Sequence, residues 1–421
     1  MSVRASLAAA LVVGAALSVL PAGPASSAPA VTLSATSVRM ADAASPEVSR
    51  VPVGPEPDGT AVSLDVSVWP QTSGRHPVVL LAHGFGGSKD SVTSQATALH
   101  DRGYVVIAWS ARGHGASGGR IHLNDPAYEI ADAAQLLDLA AKRSDVELDA
   151  AGDPRVGVMG GSYGGALGLM LAGADRRVDG VVSAITWNDL ADAFFPQAAL
   201  TAAPATAAGR SPIGQPGPFK QVWASTFFLS ASGRSTAAGA RAGAPGVAGA
   251  AGVAGAAGVA GAAGPASSCG RFDPTICRLF VQTSESGAPS PELVTLLRAH
   301  SPKPTMARVT APTFLVQGIG DSLFGLDQAD ANAAALAASG TPYAVRWSDG
   351  GHDAPSTHES EETEASYAWL DHYVRDKATR ESPLPTAKFT YPLAAPRAGQ
   401  PTTLHTLTAY PGLSGAPLDT A

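Results

Sequence analysis

Between Arg155 and Met170 the chain reads Arg-Val-Gly-Val-Met-Gly-Gly-Ser-Tyr-Gly-Gly-Ala-Leu-Gly-Leu-Met. The apolar run Val156 to Met159 predicts a short buried strand, and Ala166-Leu167 with Leu169-Met170 predicts a helix. Gly160-Gly161-Ser162-Tyr163-Gly164 joins them, so the order is strand, G-x-S-x-G, helix, the pattern of a nucleophile elbow. A serine forced into so tight a turn needs neighbours without side chains, or the strand and helix cannot close around it. The turn lifts the Ser162 hydroxyl clear of the sheet and points the positive end of the helix dipole at it. A Gly-rich turn with an incidental serine is the alternative, and the rest of the chain decides between the two.

A chain of 421 residues can bury a large core, as one α/β domain with insertions or as two domains. Its net charge of −7, with 15% charged residues and no basic block, gives no reason to expect a nucleic-acid partner. Residues 1–30 read as a secretory signal: Arg4 precedes an apolar core from Leu7 to Leu20, and small residues lead to cleavage after Ala28 or Ala30. The apolar core falls short of the roughly 20 residues that span a bilayer, so a secreted chain with no stable membrane insertion is expected. An uncleaved anchor is the alternative. The two cysteines, Cys269 and Cys277, can form a disulfide in an oxidising compartment. Their spacing matches no metal site, and no metal or organic cofactor is expected.

Residues 31–58 are polar and weakly patterned and read as an N-terminal arm. Val62, Leu64, Val66 and Val68 alternate with polar residues, predicting a half-buried strand over 61–69. Val78 to Ala82 is continuously apolar, as in a strand covered on both faces, and it runs into His83-Gly-Phe-Gly-Gly87, a loop able to offer backbone N–H groups to an anion. A third strand over 104–109 ends in Arg112-Gly-His-Gly-Ala-Ser-Gly-Gly119, and a helix follows over about 128–142. After the elbow come a strand at 178–185, a strand at 312–317, a helix at 326–338, a strand at 343–347 and a helix at 359–374. This alternation predicts a mostly parallel sheet with helices on both faces, built from residues 59–186 and 311–378. The intervening 187–310 carries Trp187, Phe194, Phe195, Trp223, Phe227, Phe228, Phe272 and Phe280, and reads as a helical cap inserted before the strand at 312–317. A separate second domain is the alternative. Within it, glycine recurs at every third position from Gly243 to Gly264. With almost no proline, this 243–265 stretch reads as a flexible Gly-X-Y loop rather than as collagen.

A serine in such a turn is inert without a base and an acid to orient that base, which in this architecture follow it in the order acid, then histidine. Asp321, in Gln317-Gly-Ile-Gly-Asp-Ser322, stands at the end of the strand at 312–317. Asp327 and Asp330 are further candidates but fall on the next helix. His352 stands in Ser348-Asp-Gly-Gly-His-Asp353, after the strand at 343–347. The other nine histidines lack a strand-end position after Ser162 or belong to other turns or helices.

Taken together, Gly160-Gly-Ser-Tyr-Gly164, His83-Gly-Phe-Gly86, Gly318-Ile-Gly-Asp321 and Gly351-His352 resemble the α/β-hydrolase fold. Arg112-Gly-His-Gly-Ala-Ser-Gly118 and Gln317-Gly-Ile-Gly-Asp-Ser-Leu-Phe-Gly-Leu326 resemble more narrowly the branch of X-prolyl dipeptidyl peptidases and cocaine-esterase-like acyl hydrolases, over about residues 45–380. The resemblance implies a serine hydrolase cleaving an ester or a peptide amide through an acyl-enzyme, with Ser162 as nucleophile, His352 as base and Asp321 as its orienting acid. Two departures stand out. The branch commonly places a tyrosine where Phe85 stands, so the oxyanion hole is expected from the backbone N–H groups of Phe85 and Tyr163. The branch also continues into a β-sandwich, whereas the Pro-rich tail at 379–421 is long enough only for a remnant. The expected substrate is a small molecule or a peptide. A dipeptidyl peptidase needs an anion for the substrate's free amine, and neither Asp189 nor Asp192 can be given that role from sequence. A small-molecule carboxylesterase is the alternative, and a non-catalytic exported binding protein on the same scaffold is the rival from another class.

Overall fold

The computed structural model describes residues 45–196, 217–231, 269–379, 381–393 and 402–413. The expected signal at 1–30 and the Gly-X-Y stretch at 243–265 lie outside the described residues.

Ten strands form one sheet. In chain order they are β1 (Glu47–Val53), β2 (Val62–Trp69), β3 (Val78–Ala82), β4 (Val105–Ser110), β7 (Val156–Gly161), β8 (Val178–Ala184), β9 (Thr313–Gly318), β10 (Tyr343–Ser348), β11 (Phe389–Leu393) and β12 (Thr403–Leu407), with a small separate ribbon of β5 (Leu148–Ala150) and β6 (Asp153–Pro154). Their spatial order is β1-β2-β4-β3-β7-β8-β9-β10-β11-β12. From β4 to β11 every pairing is parallel, and antiparallel pairings occur only at the two ends. The parallel strands are the apolar runs of the sequence, because both of their faces are covered. Helix α1 (Thr93–Asp101) and α9 (Glu359–Leu370) bury Ala96, Leu99, Trp369 and Leu370 on one face. Helices α2 (Glu129–Ala141), α3 (Tyr163–Ala174) and α8 (Leu326–Ala338) bury Leu136, Leu137, Leu167 and Leu336 on the other. Each such aliphatic side chain stabilises the fold by about 1.5–3 kcal/mol.

The structure departs from the sequence reading in three places. Residues 31–58 hold a strand, because β1 pairs antiparallel along the whole of β2, from Glu47 opposite Val68 to Val53 opposite Val62. Strand β2 is covered on both faces rather than half-buried. Its polar side is closed by partners, since Lys89 donates to Ser67 at 2.9 Å and stands 3.7 Å from Asp65. The described part of the tail is not a sandwich remnant, because β11 joins β10 in parallel and β12 closes the edge of the same sheet.

Between β8 and β9 the described residues include four α-helices and no strand: α4 (Leu190–Phe194), α5 (Gln221–Ala231), α6 (Pro274–Ser286) and α7 (Pro291–Ala299). They share a core with Tyr163 and Ala166 at the start of α3 and with Leu323 and Phe324 after β9, so they lie over the carboxyl ends of the strands. Cys269 and Cys277 are joined in a disulfide, their Cα atoms 5.6 Å apart, at the start of α6. The same stretch is stitched to the loop before α2. Ile121 N–H donates to Arg271 O at 2.8 Å, and Asp273 N–H donates to Ile121 O at 3.0 Å. The Arg271 guanidinium also donates to the carbonyls of Gly115 and Ser117 at 2.8 and 2.6 Å.

Candidate active site

Strand β7 ends at Gly161, and α3 begins at Tyr163, so Ser162 makes the whole turn alone with φ 53° and ψ −116°. A non-glycine residue held there stores about 1–3 kcal/mol of strain, which the surroundings must hold in place. Ser162 N–H donates to Ala184 O at 2.8 Å, and the Thr186 hydroxyl donates to Ser162 O at 2.7 Å. The flanking glycines have a steric reason. A Cβ on Gly160 would come within 2.6 Å of the Gly164 backbone, and one on Gly164 would collide with the Ala82 carbonyl.

The three strand-end residues meet. His352 Nε2 lies 2.8 Å from Ser162 Oγ, and Nδ1 lies 2.7 Å from Asp321 Oδ2. All three are buried. Asp321 Oδ1 accepts from Leu323 and Phe324 N–H at 2.9 Å each, and Oδ2 also accepts from His352 N–H at 3.1 Å. Burial alone would push the Asp321 carboxyl up, but the His352 ring and these N–H groups outweigh it and hold it below the ordinary carboxylate value. An ionised Asp321 fixes the proton on Nδ1, which leaves the Nε2 lone pair to accept from the serine hydroxyl. The ring is held edge-to-face between Phe324 at 5.3 Å and Trp223 at 5.8 Å. Trp223 Nε1–H also donates to Ser322 at 3.1 Å, tying α5 to the Asp321 loop. The other acids are engaged elsewhere. Asp327 accepts from Gln328, and Asp330 accepts from the Tyr410 hydroxyl and Leu413 N–H.

The loop after β3 is shaped by His83, whose Nδ1 meets Gly84 O at 2.7 Å while Nε2 accepts from Ala111 N–H at 2.9 Å. Burial pushes this imidazole down to about 4, so it holds the loop uncharged. No described residue accepts a hydrogen bond from the N–H of Phe85 or of Tyr163, and both residues line one cavity with Ser162. At Tyr163 this follows from its place at the head of α3, where the first N–H groups have no partner in the helix.

The Tyr163 phenol points elsewhere. Its oxygen accepts from Asn124 N–H at 3.0 Å and its hydroxyl donates to Glu129 Oε1 at 3.2 Å, while Asn124 Nδ2 donates to Tyr163 O at 2.9 Å. Glu129, pushed up to about 8 by burial, also accepts from the N–H groups of His122 and Asp125. Leu123 and Asn124 both take positive φ, 60° and 59°, to make this lock. Asn124 and Glu129 did not stand out in the sequence, and Trp223 stood out only as a cap aromatic. Only the liking of asparagine for left-handed backbone offered a cue to the first. Tyr163→Phe is therefore expected to lower stability by about 1–3 kcal/mol, through the unpaired Asn124 N–H. Its kcat should fall by less than about tenfold, far from the roughly hundredfold or greater loss of an oxyanion donor. Thermal melts and steady-state rates check both.

The cavity beside Ser162 is walled by apolar side chains, from Phe85, Leu123 and Tyr163 in the core to Phe194, Phe227, Phe272 and Phe280 in the cap, and none of the described residues that line it carries a charge. Asp189 caps α4 and binds Lys303 at 3.0 Å, and Asp192 lies 3.8 Å from Lys303 and from Arg298, so both acids are occupied away from the cavity. Among the described residues no cluster of His, Cys, Asp and Glu could hold a metal ion, and no helix is long and apolar enough to cross a membrane.

Comparison with known proteins agrees with this architecture. The family model of the alpha/beta hydrolase fold matches residues 77–206. An uncharacterized 31.7 kDa protein of Escherichia coli from the traX-finO intergenic region is 29% identical over 133 residues, 31% of this chain and 44% of that protein. A protein of Variovorax paradoxus (strain S110), provisionally named as the carbamate hydrolase RutD, is 38% identical over 112 residues, 26% of this chain and 38% of that protein. The match thus spans less than half the length of either relative. Among solved structures, a CocE/NonD family hydrolase from Staphylococcus aureus superposes with a TM-score of 0.55 at 12% identity, covering 87% of this chain and 56% of that one. The chain has the α/β-hydrolase fold.

Proposed function

We propose that this chain is a serine hydrolase that cleaves a carboxylic ester or amide through an acyl-enzyme. The observation that carries the reading is the unbroken line Ser162 Oγ, His352 Nε2, His352 Nδ1, Asp321 Oδ2, with links of 2.8 and 2.7 Å. Ser162 attacks the carbonyl carbon as His352 Nε2 takes its proton, and the imidazolium formed is stabilised by Asp321. The carbonyl oxygen gains negative charge, and the N–H groups of Phe85 and Tyr163 receive it, each donor contributing about 3–4 kcal/mol to the transition state. His352 then gives the proton to the leaving group, and a water repeats the sequence to release the acid. Asp321 stays ionised throughout.

An ester substrate fits better than an X-prolyl peptide. A dipeptidyl peptidase must neutralise a free ammonium beside the nucleophile, and the described lining of the cavity has no carboxylate. The carboxylesterase reading is therefore favoured within the fold. Export is part of the proposal, supported by the signal-like residues 1–30 and by the Cys269–Cys277 disulfide. A fluorophosphonate probe is expected to form a stable adduct at Ser162 in the folded protein and not after heat denaturation, read by peptide mass. A folded chain that stays unlabelled under excess probe leaves the binding-protein alternative standing instead.

A further inference from the structure

The geometry points to an acyl pocket on the cap side of Ser162 that selects bulky, uncharged, apolar acyl groups, medium-chain or aryl-alkyl, and this rests on the serine-hydrolase reading above. Of the three hydrogen-bonded residues only Ser162 opens on the cavity, and His352 does not line it. The leaving group must end within reach of His352 Nε2, because that nitrogen protonates it. The cavity is flanked instead by Phe85 and Tyr163, the residues whose N–H groups face the carbonyl oxygen. The group that enters it is therefore the acyl substituent, with the leaving group departing on the His352 side, near Trp223.

The walls define what fits. Phe228 stacks on Phe272 at 4.0 Å and on Phe280 at 3.7 Å, and Phe272 stacks in turn near Phe85 at 5.7 Å, so aromatic faces run from the oxyanion loop into the cap. The hydroxyl of Tyr163 is turned to Glu129 and Asn124, which removes the nearest phenol from the lining as a polar contact. The cavity has a volume of about 80 Å³. A site holding one water needs about 10–15 Å³, so a group of several carbons is accommodated. Such a wall solvates no charge, and an ammonium or carboxylate on the acyl chain would be buried without a partner.

The test is a series of 4-nitrophenyl esters with one leaving group and varied acyl parts: acetyl, butanoyl, hexanoyl, 3-phenylpropanoyl, 6-aminohexanoyl and succinyl. The expected kcat/KM rises about fourfold per methylene from acetyl to hexanoyl, the equivalent of ~0.8 kcal/mol each. The two charged acyl groups should fall at least about a hundredfold below hexanoyl. Phe280→Asp is expected to lower the hexanoyl-to-acetyl ratio by at least about tenfold, since it sets a charge in the far wall. A flat or falling series in a protein that the fluorophosphonate labels at Ser162 would overturn the acyl pocket and leave the serine-hydrolase reading intact. Absence of both labelling and ester turnover removes that reading and this inference with it.

Discussion

Ser162→Ala is expected to reduce kcat on a 4-nitrophenyl acyl ester by about 10⁶, to the level left by binding and the oxyanion donors alone. The substitution removes one atom, and among the described residues that atom makes one hydrogen bond, the 2.8 Å link to His352. The turn itself is held by the backbone bonds to Ala184 and Thr186, which alanine keeps. Alanine inherits the strained φ of 53° rather than relieving it, so stability should move little. Circular dichroism and a thermal melt check the fold, and steady-state rates check the chemistry. A residual kcat within tenfold of the parent would sink the assignment of the nucleophile.

Asp321→Asn should leave the chain folded and lower kcat by roughly 10³–10⁴. Four donors converge on this carboxylate: the N–H groups of Leu323, Phe324 and His352, and His352 Nδ1. An amide offers one oxygen and one NH₂ in that space. With the NH₂ toward His352, the imidazole must carry its proton on Nε2, where it can no longer accept from Ser162. Asp327→Asn and Asp330→Asn should change kcat little, because their carboxylates serve Gln328 and the tail. A second consequence follows from the lowered carboxyl of Asp321. Its stabilisation is present above the ordinary carboxylate value of about 3.9 and is lost as pH falls through the lower folded-state value. The asparagine variant lacks that contribution, so its acid unfolding should differ from the parent's in that window.

The elbow was legible because part of its steric demand is local: a Cβ on Gly160 meets the backbone of Gly164, four residues on, while the Ala82 carbonyl of β3 adds the demand at Gly164. Asp321 and His352 were legible through their positions after apolar runs, which place side chains at the open end of a parallel sheet. What could not be read depended on distant partners. Residues 47–53 look like a loose arm until β2 supplies the other half of the ladder. Likewise β11 and β12 carry little pattern of their own and take their place at the sheet's margin from pairing, β11 between β10 and β12, and β12 at the edge with one neighbour. The direction of the Tyr163 phenol was open in the sequence, since Asn124 and Glu129 lie 39 and 34 residues before it. Asp321 differs from the two acids on α8 in lying in the loop between β9 and that helix, where its carboxylate meets His352.

Four consecutive residues before α2 carry three separate duties. Ile121 pairs with the cap backbone at Phe272, Leu123 walls the cavity, and Asn124 clamps both ends of Tyr163. Selectivity and the anchoring of Tyr163 therefore share one short piece of backbone. Reshaping the cap to admit a different substrate pulls on the same strained pair that anchors the carbonyl and the phenol of Tyr163. Changes at Phe272 and at Asn124 will not add as independent sites do. Such a fold can vary the substrate it accepts most cheaply from the outer helices of the cap, and only with compensation from the segment that begins at Cys269.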